Sequence, residues 1–380
     1  MRRLTFTLTL ALAILACSFG TPAVDLPATE TAVATAVMTQ LAPAQIPASP
    51  TPFLAPNATP PPVAGSAQPP GGPPPFPTLD STTTASLNLS LTGQYLMSFH
   101  ACEKSECQTG VFSHKTYLAQ SDDGEYWSLV PGWQAYVGSV PDVIRRGNTL
   151  YIFNPGRMAR YNIDAGVFEG PMAIEIKGLS EGFVDPSLIV DDQRRLVLFF
   201  LYGRPGGDPA SCPPDQATCE QRFGSATEVE GSDGSMFTLD EGDRAVIPIS
   251  PGGPIRSASD PDIFFDGAQY VLYISQGPSI SVWTSPDLRG AYTSAASQPN
   301  ALLADHYGVP SGYFDPASQR YWSFAHRASQ DRAALIYRAA HADFSRQLSE
   351  SDWVVVASGE SLGLSSTVNV ESPGFAVNTP

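Results

Sequence analysis

Five short apolar runs recur along the chain: Tyr95–Phe99, Leu150–Phe153, Leu196–Phe200, Tyr270–Ile274 and Tyr321–Phe324. Their aromatic and β-branched content and their shortness mark them as strands, and no stretch sustains a helical period over several turns. Upstream of four of them a proline stands beside an aspartate or a small residue, in Pro141-Asp142, Asp185-Pro186, Asp260-Pro261-Asp262 and Val309-Pro310-Ser311. Each of these units continues as apolar strand, tight turn, aromatic strand. The turns (Arg146-Gly147-Asn148, Asp191-Asp192-Gln193, Asp266-Gly267-Ala268 and Asp315-Pro316-Ala317-Ser318) carry turn chemistry. A second element, Ser, Asp, Gly and then an aromatic, follows the aromatic strand at Ser121–Trp127, Ser232–Phe237 and Ser285–Tyr292. It can reverse the chain into an outer strand while the aromatic packs between sheets. Units of about four strands repeated in this way read as propeller blades. The expected fold is therefore all-β, a five-bladed β-propeller. The first unit lacks the proline element, so the ring has to close with strand from the C-terminal segment between Ser365 and Val377.

The first part of the chain is a different material. Arg2 and Arg3 precede an uncharged run, Leu4 to Ala16, too short to cross a bilayer but of signal-peptide length. It ends in Ile14-Leu15-Ala16-Cys17, which resembles the bacterial lipobox and implies lipidation of Cys17 after cleavage. An ordinary secretory signal with an incidental cysteine is the alternative. The expected divisions are a signal peptide at 1–16, a tether at 17–84 and the propeller at 85–380. The tether is rich in Pro, Thr and Ala, with runs such as Thr59-Pro60-Pro61-Pro62, and cannot bury enough apolar surface to offset its ordering entropy. The expected location is the cell envelope or surface, held by an N-terminal lipid.

Two close cysteine pairs follow, Cys102/Cys107 and Cys212/Cys219. In an exported chain these read as two local disulfides. A four-cysteine zinc site is the rival, but neither gap has the usual C-x2-C spacing. The formal net charge is -16, and only Lys104, Lys115 and Lys177 are lysines. That balance disfavours nucleic acid and anionic lipid surfaces as partners. A monomer is expected.

The repeats look like those of the arabinanase, levansucrase and invertase superfamily of five-bladed propellers, the glycoside hydrolase families 43 and 32. The resemblance rests on Asp185-Pro186, Asp260-Pro261 and the Ser-x-Asp-Gly turns, and covers most of residues 90 to 350. It implies a carbohydrate partner and carboxylates at the mouth of a central funnel, because glycoside hydrolysis needs one carboxyl to protonate the leaving oxygen and another to attack or to activate water. By match to the motif, Asp185 and Asp260 are the candidate catalytic carboxylates. Asp142 is a third, although it and Asp262 follow their prolines, and a one-residue shift turns a strand side chain to the other face. The acid glutamate has no clear position: Glu181, four residues before Asp185, is the candidate at the rim, with Glu169, Glu228 and Glu241 as further options. Glu169 lies where an outer strand should run. An aspartate before proline can also serve only to bond backbone amides.

His100 and His326 both follow aromatic strands and can approach the channel. Some relatives hold a metal there through a histidine, but a hydrogen-bonded strand-end histidine is the plainer reading, and no cofactor is expected. Trp127, Trp133, Trp283 and Trp322 can stack on sugars or fill the clefts between blades; propellers need large residues in those clefts. Three functions remain open. One is an envelope lipoprotein that binds and hydrolyses a glycan. Another is a non-catalytic propeller for adhesion or envelope assembly. The third is a sialidase-like hydrolase, which would need six blades and a converging arginine cluster from Arg145, Arg146, Arg157 and Arg160.

Overall fold

The computed structural model describes residues 83–379, apart from 108–112, 181, 204–211, 213–215, 251, 254, 278, 296–301, 305 and 329–331. The signal peptide, Cys17, nearly all of the tether and Glu181 lie outside the described residues.

Five sheets form the domain, antiparallel except where Glu175–Lys177 pairs parallel with Met236–Leu239 in blade 3. In blade 2 the strands run Asp142–Arg146, Thr149–Asn154, Arg157–Asn162 and Val167–Ala173 from the centre outward, and Thr83–Ser86 adds an edge strand. Blade 3 opens with Phe183–Val190, blade 4 with Ser259–Phe265 and blade 5 with Gly308–Asp315. Blade 1 takes its inner strand from the end of the chain: Val368–Val377 pairs with Tyr95–Glu103. This is the closure expected from the sequence. The inner strands pack side by side in the order 1-2-3-4-5 and back to 1, which closes the ring.

The apolar core is divided among the clefts between blades. Five buried clusters occupy the five clefts. Met97, Phe99, Trp127, Trp322 and Phe324 fill the one between blades 5 and 1, where Trp127 meets Phe324 edge-on at 6.1 Å. The indole Nε1–H of Trp127 donates to the Gly124 carbonyl at 3.1 Å, so the Ser-Asp-Gly turn delivers the ring and satisfies its only donor. In the same turn the Asp123 carboxylate accepts the N–H groups of Glu125 and Tyr126, at 2.8 and 2.9 Å. Full burial of an aromatic side chain contributes about 1.5–3 kcal/mol, which explains why each blade keeps its large residues on the faces it shares with neighbours.

Polar clasps join the inner strands inside this apolar packing. In blades 2, 3 and 4 the residue after the inner proline bonds the backbone of the next blade. Asp142 accepts the Leu188 N–H at 2.7 Å, Ser187 accepts the Ile263 N–H at 3.1 Å and Asp262 accepts the Gly312 N–H at 2.7 Å. Blade 1 has Gly374 at this step, and there a Cβ would lie 2.6 Å from the Asp142 carboxylate.

Both expected disulfides are present, Cys102–Cys107 and Cys212–Cys219, with Cα separations of 5.3 and 5.6 Å. His114 lies beside the first, but sulfurs bonded to each other offer no thiolate to a metal.

Candidate functional site

The N-terminal ends of the inner strands meet at one end of the ring. In every blade the residue before the inner proline has a left-handed backbone: Val140 (φ 43°), Asp185 (55°), Asp260 (48°), Val309 (50°) and Ser372 (55°). Such a conformation is costly for a non-glycine residue, above all for a β-branched one, by about 1–3 kcal/mol. Its recurrence at one position in all five blades ties it to the ring. The ladder shifts register here in blades 1, 3, 4 and 5, and proline has no N–H to lose from the ladder. Ser372-Pro373 is thus a fifth copy of the proline element. The sequence reading assigned none to the first blade because this copy sits at the far end of the chain from the strand it accompanies.

All five left-handed residues and their prolines border a void of about 20 Å3, room for about one water. Asp185 and Asp260 are both there, half-buried, on adjacent blades. The Asp185 carboxylate accepts the Asp260 N–H at 3.2 Å, and the Ser259 hydroxyl donates to the Asp260 carboxylate at 2.5 Å. Burial pushes the Asp260 carboxyl up to about 6 against that hydroxyl bond.

The other left-handed N–H groups show what the histidines do. Val140 donates to His100 Nδ1 at 3.1 Å and Ser372 donates to His326 Nδ1 at 3.2 Å. Each ring must therefore be unprotonated at Nδ1. His100 Nε2 lies 3.3 Å from the carboxylate of Glu371, the residue just before Ser372-Pro373. Burial by itself would raise Glu371; hydrogen bonding to His100 and the nearby histidines outweigh it and hold the carboxyl below its ordinary value. Burial lowers His100, and pushes His326 down to about 4, against the pull of Glu371 in both cases.

Glu371 is the residue that the sequence reading missed. In a ring of five, blade 1 stands across from blades 3 and 4, so Glu371 is across the ring from Asp185 and Asp260. The signal available was its place before the fifth proline element. The other glutamates are used elsewhere. Glu169 lies in an outer strand and pairs with Arg160 at 2.5 Å. Glu228 is buried against Arg146 and accepts the N–H groups of Leu196 and Gly234. Glu241 lies outside the inner strands, with its carbonyl accepting from Arg244.

Asp142 lies one step past the mouth, in the clasp to blade 3. Burial, then the charge of Asp262, raises it well above the usual carboxylate range, and burial raises Asp262 to about 7. Arg146 and Arg160 meet at Asp233, but the four arginines do not form one cluster. Arg145 binds Asn378, Arg146 pairs with Glu228, Arg160 pairs with Glu169 and Asp233, and Arg157 opens an outer strand of blade 2. With five blades rather than six, the ring also lacks the frame of a sialidase-like hydrolase.

No family model matches the chain, and no curated protein does. Solved structures are similar to it at low identity. An endo-1,4-beta-xylanase from Bacteroides thetaiotaomicron is 13% identical, with a TM-score of 0.42 over 78% of this chain and 98% of that one. A GH43_1 enzyme from Xanthomonas citri, complexed with xylose, is 14% identical with a TM-score of 0.45, over 73% and 94%. An alpha-L-arabinofuranosidase from Clostridium thermocellum is 12% identical with a TM-score of 0.43, over 70% and 94%.

Proposed function

We propose that this chain is an exported protein of the cell envelope, anchored through a lipid on Cys17, whose propeller binds a glycan at the channel mouth and hydrolyses it. The observation that carries the reading is the pair of carboxyls, Asp185 and Asp260, on the lining of one opening, with Glu371 one residue before the lining residue Ser372. Asp185 and Asp260 open adjacent blades, and Glu371 belongs to the blade across from them. Their environments separate them by role. Asp260, raised to about 6, holds its proton in mildly acidic solution and suits the general acid there. Glu371, held ionised beside His100, suits the base that activates water or the nucleophile. Asp185 orients the Asp260 backbone and adds negative charge near a developing oxocarbenium ion. Because the void at the ring centre has room for about one water, the sugar lies above it on the mouth.

Asp260→Asn and Glu371→Gln should each lower turnover by 100-fold or more, in line with the 10²–10⁴-fold typical of a general acid or base. A screen of plant and microbial polysaccharides, comparing both variants with wild type, checks this. Turnover unchanged in both would remove these residues from catalysis. A second reading, a binding module without turnover, is favoured by the backbone bond that Asp185 makes to Asp260. Glycan binding without turnover by wild type would select it. Anchoring is tested separately: wild type should take up labelled fatty acid and fractionate with membranes, and Cys17→Ser should do neither.

A further inference from the structure

The other end of the ring holds a second cavity, which shares Asp142 and Asp262 with the lining of the void at the mouth. The C-terminal halves of the inner strands surround a funnel of about 360 Å3. Its walls include Ile189, Phe264, Tyr313 and Phe375, with Arg145, Arg146 and Arg194 also in the lining, and Asp142 and Asp262 contribute from the clasp level. Blade 5 opens space for it with Gly312, where a Cβ would come within 2.1 Å of the Phe264 ring. Apolar and aromatic walls of this size, with a few convergent polar groups, are the usual make-up of a small-molecule site.

The two acids are short of positive charge. Among the described residues no arginine, lysine or histidine forms an ion pair with Asp142 or Asp262. The arginines that follow Asp142 on its strand turn elsewhere, Arg145 to Gly147 and Asn378 and Arg146 to Glu228 and Tyr151. The acids accept from the backbone N–H groups already described, and the Ser187 hydroxyl reaches Asp262 at 3.4 Å. Two buried carboxyls without a counter-ion cannot both ionise cheaply.

We propose that the funnel binds a protonated amine carried on a compact aromatic or branched apolar body, with the ammonium group seated against Asp142 and Asp262. The apolar body fills the aromatic walls, and the ammonium supplies the missing charge. Binding then converts a protonated carboxyl and an ammonium ion into a carboxylate–ammonium pair, and one proton leaves to the solvent. The raised acids at this level are consistent with that release.

Phenethylamine is the probe and 2-phenylethanol its neutral match. Calorimetric titration of the purified protein at pH 6, in buffers of different ionisation enthalpy, should show the amine binding at least tenfold tighter than the alcohol. It should also show release of about one proton with the amine and none with the alcohol. Asp262→Asn should erase the amine's advantage and leave the alcohol unchanged. Ile189→Trp, which fills the wall and leaves the clasps alone, should abolish binding of both. If Asp262→Asn does not fold, the buffer dependence of wild type and Ile189→Trp decide the matter. Equal affinity for the two probes, binding of neither, or amine binding that survives Ile189→Trp would overturn the proposal.

Discussion

Asp142 accepts the Leu188 N–H from within a ring that gives it no cation, and Asp262 does the same for Gly312. A carboxyl raised on folding favours the folded state when protonated, so its contribution declines as pH rises from the unfolded value, near 3.8, through the folded one. Asn at Asp142 keeps the acceptor oxygen and removes the charge. Asp142→Asn should match wild type in thermal stability near pH 4 and exceed it at pH 8, by roughly 2–4 °C for each kcal/mol recovered. Melting curves at the two pH values check this, and a variant less stable at pH 8 would refute it. His326 acts in the opposite sense. Its folded value, near 4, lies below the ordinary 6.5, so the stability it confers is complete above about 6.5 and is lost as pH falls through 4. Protonation of Nδ1 would also break the bond from Ser372. The positions of Asp185 and Asp260 were legible in the sequence because each stands before a proline. Glu371 was not, because its partner His100 comes from the opposite end of the domain and meets it only once the ring is closed.

The inner strand is the element that repeats, and its parts were unequally visible. Proline marked four copies, and turn chemistry marked where each ends. The left-handed residue before the proline left no mark, since Val140 and Val309 are among the residues least expected there. The clasp residue is Asp or Ser where it reaches the next backbone, and glycine at position 374, where the Asp142 carboxylate takes up the space. Blade 5 shows how tight this layer is. Gly312→Ala would place a methyl against the Phe264 ring, and that ring is itself packed on Tyr273 at 5.1 Å. Overpacking of this kind costs about 1–3 kcal/mol. Gly312→Ala should lower the urea midpoint with little change in slope, and a paired Phe264→Leu should recover part of the loss. No loss in the single variant would show that the Phe264 ring has room to move.

For the whole molecule, closure is the decisive event. Blade 1 joins residues from the two ends of the domain, and eight of its residue pairs connect Tyr95–Glu103 to Val368–Val377. Contacts of such separation form late and slowly. Removal of residues 368–380 would expose the edge of Tyr95–Glu103 and the Phe99, Trp127 and Phe324 surface together. The truncated chain should therefore aggregate or lose cooperative unfolding rather than lose one blade. Size-exclusion chromatography with calorimetry checks this; a monomer with a single sharp transition would contradict it. The five-fold repeat and both cysteine pairs were legible in the sequence because they are local patterns, whereas the meeting of Glu371 with His100 depends on closure.

Thr83–Ser86 joins blade 2 as an edge strand, held on one side only, by Val167–Gly170. A pull on the chain upstream of Thr83 would therefore be felt first at the rim of blade 2. It would peel those four residue pairs and then lift Leu87 from its cleft. The next strand along, Tyr95–Glu103, is gripped on both sides, by Val368–Val377 and by Lys115–Ser121. Peeling would stall there. A domain tugged by flow or by a bound polymer could thus pay out about a dozen residues as slack, while the seam that closes the ring carried no tension until that slack was used.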